Sequence, residues 1–498
     1  MRSRSVALAL AATLAAARVG IAQTVPDSQA AGLLEDGRAY WAKKQYKQAL
    51  DNFNTIVSSF ADTDVVDNAL LEIGRYYVEV EPNLERAREA FDQVAKRHPQ
   101  SDGAPGAYYY LGLLGLNAAT TPVELDDAIA QFKRLQRLYP RSEWVPRALY
   151  ATGLAHRKAG RLADAVEAHR RVSLEHPGSD VTPAAQYQIG LSLALLGEPV
   201  QAMEEFQQVR NRFPESEWAA EALSRITALY RLYGAGKAVY VRDAAYTAGA
   251  GAGDILKDVR AILMTPARTL WIASDKTKSV VPFGADGKRG AGVPAEDLRS
   301  LSLTPRGDLL VAAHMAVRIG PRDVKNFAIP GDKPGLMKPL DKITAAVMTP
   351  GGSLLVADGD KGRVYRYDAQ DRYVGTYPDA KQREVTRMTL DGEGGIVLLD
   401  RDQKTVGVFD EAGKPLRSVG PRGAGFELKK PADVAVDSFR NLYVADEELG
   451  ILVFSPSGQL LASVPISEDM KRPKALSLDF DGSILVYDER AEKVLRYR

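Results

Sequence analysis

Five aspartates recur in one local context: Asp275, Asp358, Asp400, Asp446 and Asp488 each close a short apolar run, as in "LWIASD", "LLVAD", "IVLLD", "NLYVAD" and "SILVYD". Gathered at one point they could act as general acids and bases or hold a divalent cation. Recurrence at equivalent places in a repeated unit argues otherwise, because symmetry spreads such residues around a ring. An aspartate at the end of a strand commonly accepts hydrogen bonds from nearby backbone N–H groups, so we read all five as turn caps. Asp479, Asp481 and Gly482 begin a calcium-loop pattern, but its bidentate glutamate position is Arg490, and the pattern fails. The run "AGAGAGD" from Ala248 opens no helix in phosphate-loop fashion and reads as linker. The chain has no cysteine, and after Gly234 its one histidine is His314, so neither a thiolate nor a histidine zinc site is expected there. The expectation is no metal, no cofactor and no catalytic residue.

Basic residues make a second pattern. With Thr265, Thr304, Thr349, Asp391, Asp437 and Asp479 as equivalent positions, the residues five earlier are Arg260, Arg299, Thr344, Thr386, Ala432 and Lys474. Those four earlier are Ala261, Ser300, Ala345, Arg387, Asp433 and Ala475. If these face a common opening, Arg260, Arg299, Arg387 and Lys474 outweigh one aspartate, a balance that repels calcium and favours an anionic ligand.

The elements that would position these residues are short alternating strands broken by glycine, proline and aspartate, the texture of an all-β domain. The clearest unit, Pro431 to Val464, parses as four strands: "DVAVD", "NLYVAD", "GILVFS" and "QLLASV". Similar units begin near Asp258, Asp297, Asp341, Glu384 and Lys474, and six four-stranded units at a repeated spacing indicate a propeller. The fifth unit in particular resembles the NHL repeat, which implies a six-bladed β-propeller over residues 235–498. The second unit, ending in "AAHMAV", departs most from that pattern. The last stops at Arg498 after three strands, so an N-terminal strand, 238–247, "AVYVRDAAYT", is expected to cover the open edge.

Residues 23–234 repeat on a different period. Twelve residues after Gly37, Gly153 and Gly190 stand Ala49, Ala165 and Ala202, and sixteen after stand Phe53, His169 and Phe206. Gly74 and Gly112 keep the pattern with insertions before Ala87 and Phe91, and before Ala128 and Phe132, which marks a turn between two helices. Small residues then sit where helices cross closely and the aromatic fills the gap. "HPQSD", "YPRSEW", "HPGSD" and "FPESEW" are loops in which proline stops one unit and Ser101, Ser142, Ser179 or Ser216 is placed to cap the next. This pattern resembles the tetratricopeptide repeat (TPR), in the long-loop style of exported bacterial envelope proteins. It implies an α-solenoid of about five helix pairs with a capping helix near Glu221–Tyr233. The face lined by the first helices would bind an extended peptide or a partner helix. Tyr76, Tyr77, Tyr108, Tyr109 and Tyr110 cluster there, and helical spacing assigns about half of such residues to the core.

The first residues, "MRSRSVALALAATLAAARVGIAQ", combine arginines, a short apolar run and small residues, and read as a signal peptide, 1–22, cleaved after Ala22. No later run is long and apolar enough to span a membrane, and without cysteine a lipoprotein is not expected. Lys plus Arg number 65 against 64 Asp plus Glu, so no global field steers the chain toward nucleic acid. The fold class expected is multidomain, an α-solenoid followed by an all-β propeller. The function expected is a non-enzymatic protein–protein interaction scaffold, periplasmic or secreted. Its partners would be proteins or peptides at the first-helix face and at a propeller face, with an anionic ligand at the channel. A propeller hydrolase or lyase acting on a small anionic substrate, and a glycan- or peptidoglycan-binding protein, are the alternatives.

Overall fold

The computed structural model describes residues 26–234, 240–246, 253–320, 323–331, 336–340, 342–359, 361–377, 384–391 and 394–498. The expected signal peptide lies outside the described residues, as do positions 238, 239 and 247 of the expected closing strand. Helix α1 spans 26–42. After it come α2 (Tyr46–Ser59), α3 (Val66–Glu79), α4 (Leu84–Arg97), α5 (Ala104–Ala118), α6 (Pro122–Leu138) and α7 (Trp144–Lys158). Then follow α8 (Leu162–Glu175), α9 (Thr182–Leu195), α10 (Pro199–Arg212) and α11 (Glu217–Leu229), which makes five helix–turn–helix units and a final helix.

The recurring glycines have one physical cause. The ring of Phe53 lies on Gly37, Phe91 on Gly74, Phe132 on Gly112 and His169 on Gly153, and all four rings are fully buried. A Cβ on Gly112 would stand 2.5 Å from Phe132 Cε1, inside any tolerable contact. Each glycine is therefore a socket for the aromatic knob of the following helix, with Ala49, Ala87, Ala128 and Ala165 buried beside it. In the fourth unit His169 replaces phenylalanine. Burial, with Arg157 nearby, lowers its pKa to about 3, so it packs as a neutral ring against Tyr150.

The second helices end on an aromatic residue followed by proline: His98 and Pro99 after α4, Tyr139 and Pro140 after α6, His176 and Pro177 after α8, Phe213 and Pro214 after α10. Of the serines beyond them, expected to cap the next helix, Ser142 bonds its first turn and the other three do not. Ser101 and Ser216 donate their hydroxyls back to His98 O and Phe213 O, both at 2.8 Å, and so tighten the turn just left. Ser142 accepts from the N–H of Trp144, the first residue of α7, and Ser179 from that of Val181 just before α9. A hydroxyl one residue after the proline's neighbour reaches the preceding carbonyl more directly than the next helix. Of the five clustered tyrosines, Tyr76, Tyr108 and Tyr110 are buried; Tyr77 and Tyr109 are half-buried against the same core. Tyr110 stacks on Phe91 at 4.9 Å.

The sheets that follow hold four antiparallel strands in each of five blades and three in the sixth. The inner strands are Val259–Met264, Leu298–Leu303, Ile343–Met348, Val385–Leu390, Pro431–Val436 and Pro473–Leu478. Each packs beside the next and the sixth beside the first, so the ring closes. The outer edge of the sixth blade is joined by residues 240–246. Val241 N–H donates to Arg498 O at 2.8 Å, Arg498 N–H to Val241 O at 2.9 Å, and Asp243 N–H to Arg496 O at 2.8 Å.

Two compact units divide the chain, the first ending at Ser192 and the second running from Leu193 to Arg498. The composition change after Gly234 suggested a later boundary. Within the second unit, α11 and the π-helical turn after it (Tyr230–Gly234) are anchored on the blades. Arg225 Nη1 donates to Ser438 Oγ at 2.6 Å and its guanidinium lies over Phe480 and Phe439. Arg231 donates to Asp481 O at 3.1 Å, and Tyr233 donates to Asn441 Oδ1 at 2.9 Å. Ala228 fits against Gly482, which has φ of +74° and leaves no room for a Cβ.

Candidate functional site

Every inner strand carries a β-bulge at the same place. Pairing with the second strand slips between Val259 and Ala261, Leu298 and Ser300, Ile343 and Ala345, Val385 and Arg387, Pro431 and Asp433, and Pro473 and Ala475. A bulge inserts one unpaired residue and re-aims its side chain. The inserted residues are Arg260, Arg299, Thr344, Thr386, Ala432 and Lys474, so the alignment read from the sequence holds in all six blades. Just inside them, Ala261, Ser300, Arg387 and Asp433 line a central cavity of about 510 Å³, with apolar inner-strand residues such as Ile262, Met388 and Leu476. Arg225 and Ala228 of α11 line the same cavity at the ends of the inner strands.

Four strand-ending aspartates are caps, as expected. Asp446 Oδ2 accepts from the N–H groups of Lys429 and Lys430, and its Oδ1 from Glu448 and Leu449. Asp488 repeats the arrangement with Lys471, Arg472 and Ala491. Asp358 and Asp400 accept from Lys361 and Gln403. Asp275 is a correction in part: its Oδ1 accepts a backbone N–H, from Leu298 at 2.7 Å, but it does not hold the capping position of its own turn. In the first blade Ser274 pairs with Val259 as Asp358 pairs with Ile343, so Ser274 holds the capping position and donates to Lys257 O at 2.7 Å. The turns are of equal length, Thr265 to Leu270 and Thr349 to Leu354, and the aspartate stands one residue later, beyond the capping position.

There Asp275 gathers two of the predicted basic residues: its Oδ2 is 2.9 Å from Arg260 Nε and 3.7 Å from Arg299 Nη1. Arg260 also pairs with Asp258 at 3.1 Å, and Arg299 Nη2 lies 3.2 Å from His314 Nδ1. Arg387 donates to Arg260 O at 2.7 Å and sits 3.2 Å from Asp433. Burial pushes the Asp433 carboxyl up, against the pull of Arg387 and of the Leu476 and Val434 N–H groups that it accepts. Lys474 is engaged elsewhere, 3.3 Å from Glu447 and 3.5 Å from Glu489. Arg260, Arg299 and Arg387 are thus linked in one chain of contacts and Lys474 belongs to another. Arg260, Arg299 and Arg387, expected to face an anion, are paired with carboxylates of the chain itself, Asp258, Asp275 and Asp433. The sequence reading missed Glu447 together with Arg401, Lys430 and Arg472 around it. The available signal was Glu447 and Arg401 standing directly after a capping aspartate.

In the helical unit a cleft of about 630 Å³ opens between α4, α5 and α6, lined by Arg88, Lys96, Tyr108, Arg134, Leu138 and Tyr139 among others. It lies on the side of the second helices, not on the first-helix face expected to bind. Arg134 covers the Tyr108 ring at 5.1 Å.

Residues 68–101 match the family model for the tetratricopeptide repeat. The helical half carries tetratricopeptide repeats. Residues 118–242 also match a model described as YfiO, outer membrane lipoprotein. A comparison with curated proteins found no match. Among solved structures, a streptogramin B lyase is similar at 8% identity, over 52% of this chain and 97% of that one, with a TM-score of 0.37. A virginiamycin B lyase from Staphylococcus aureus is similar at 14% identity, over 48% and 81%, with a TM-score of 0.37. A gluconolactonase from Xanthomonas campestris is similar at 14% identity, over 49% and 87%, with a TM-score of 0.38. At these values none of their chemistry carries over to this chain.

Proposed function

We propose that the chain is an exported, non-enzymatic interaction scaffold of the bacterial cell envelope, with repeats and an NHL-type propeller each offering a binding surface. The observation that carries this reading is the joining of tetratricopeptide repeats to a propeller in which four of the five strand-ending aspartates are spent on backbone caps. The match of residues 118–242 to an outer-membrane family supports the location. Among the described residues no helix is long and apolar enough to cross a membrane. The test is photo-crosslinking in envelope fractions, with the reactive residue at Arg134 in the repeat cleft or at Arg299 on the propeller face. One discrete protein adduct at either position is expected, and its absence at both would refute the scaffold reading.

A second reading rests on the central cavity, where Asp433 is buried beside Arg387 among apolar walls. A carboxyl pushed up by burial can serve as a general acid toward a small anionic lactone or ester. Turnover of such a compound that disappears in Asp433→Asn would favour this reading over the scaffold.

A further inference from the structure

Glu447 is the most heavily paired carboxylate among the described residues. Its Oε2 lies 2.8 Å from Lys430 Nζ and 2.8 Å from Arg472 Nη2; its Oε1 lies 3.3 Å from Lys474 Nζ and 3.4 Å from Arg401 Nη2. Glu489 adds one more carboxylate, 2.8 Å from Arg472 Nη1 and 3.5 Å from Lys474. Four cations against two carboxylates leave this ion-paired set with two positive charges in excess. Burial would raise the Glu447 carboxyl, but hydrogen bonds from Lys430, Arg472 and Lys474 prevail and hold it at about 2.

The backbone makes the gathering rigid. In each of the last three blades the residue after the capping aspartate donates its N–H to the residue before the inner strand: Arg401 to Glu384 O, Glu447 to Lys430 O and Glu489 to Arg472 O. These steps present the side chains on one face of three successive blades. Glu384, although its carbonyl takes part, makes no ion pair with the set. The Glu447 side chain is 2% exposed, whereas those of Arg401, Lys430, Arg472 and Lys474 are 25–38% exposed. The central carboxylate is sealed while its cations open to solvent. Each cation also keeps donors that neither carboxylate takes, since an ammonium has three and a guanidinium five.

The first two blades carry the same architecture with balanced charge: Arg260 and Arg299 face Asp258 and Asp275. Of these two ion-paired sets among the described residues, the one in the last three blades holds the excess. We propose that the Glu447 cluster is a binding site for a multiply charged oxyanion, of the phosphate class, which adds the negative charge the cluster lacks. Glu447 is its positioning residue: it collects four cations from three blades at a spacing that one polyvalent oxyanion can bridge. The phosphate could belong to a soluble ester or to a lipid headgroup.

Calorimetric titration of the full chain with pyrophosphate tests the site, with phosphatidic acid vesicles, whose headgroup is a phosphate monoester, as a second arm. Binding is expected to weaken in high salt. It is expected to weaken at least about tenfold in Arg401→Gln/Lys430→Gln, because two charge-assisted hydrogen bonds are lost. Arg260→Gln, on the balanced part of the same face, is expected to bind as wild type. An unchanged melting curve without ligand verifies that the double variant folds; if it does not, Lys430→Gln alone is read in the same way. Pyrophosphate binding alone supports the site with a soluble ester as source, and vesicle binding sensitive to the double substitution supports it with a headgroup. No binding in either arm, or equal binding by wild type and the double variant, would overturn the proposal.

Discussion

Gly74→Ala isolates the contact that repeats through the helical half. A Cβ at this position would lie 2.6 Å from Phe91 Cζ and 2.7 Å from Cδ1, and closer still to Cε1. The ring cannot retreat, because Phe91 is fully buried and stacked on Tyr110 at 4.9 Å with planes 6° apart. Overpacking of this kind costs about 1–3 kcal/mol, and three ring atoms in conflict place it toward the upper end. Against it stands the gain of about 1 kcal/mol when alanine replaces glycine within a helix. The net expectation is a loss of about 2 kcal/mol. Phe91→Ala alone opens a cavity and costs about 3–5 kcal/mol. In that background the new methyl meets no ring and only the helix gain remains, so Gly74→Ala should become stabilising by about 1 kcal/mol. The sign reversal, a coupling of about 3 kcal/mol, is within the range for residues in direct contact. Urea unfolding followed by circular dichroism at the helical transition, on all four members of the cycle, measures it. Gly74→Ala with the same effect in both backgrounds would refute the knob-and-socket account.

Three further outcomes are expected. Because the Glu447 carboxyl is held at about 2, below its ordinary 4.5, its contribution of about 3 kcal/mol is present above pH ~4.5 and fades as pH falls toward ~2. The stability difference between wild type and Glu447→Gln should shrink across that window, and a flat difference would count against it. Val241→Pro removes the N–H that donates to Arg498 O, so the sixth blade should lose its outer strand and the protein should self-associate on size exclusion. Arg225→Ala loses the bond to Ser438 and the contacts over Phe480 and Phe439; hydrogen exchange in Glu217–Leu229 should accelerate, with a loss of about 2 kcal/mol.

Periodicity is a local property, and much of this protein was legible through it. The glycine, alanine and aromatic spacing located the helix pairs because a close helix crossing demands a small residue opposite a large one, and a phenylalanine, or His169 in the fourth unit, meets that demand. The inner-strand alignment held in all six blades for a similar reason: the same turn and the same bulge recur, so one register serves them all. Where a residue could slide by one without altering the pattern, the sequence was silent. Asp275 resembles the capping aspartates in every local respect, yet strand pairing gives the cap to Ser274 and turns Asp275 onto the arginines. Charge balance was the other tertiary decision. Arg260, Arg299, Arg387 and Lys474 carry the same sign in the sequence, but whether that sign is excess depends on partners brought in by ring closure: Glu447 draws Arg401 from the blade before it and Arg472 and Lys474 from the blade after. Coulomb energy falls with distance and not with sequence separation. Composition and spacing therefore determined the two architectures, and only the closed ring decided which charges are spent and which remain.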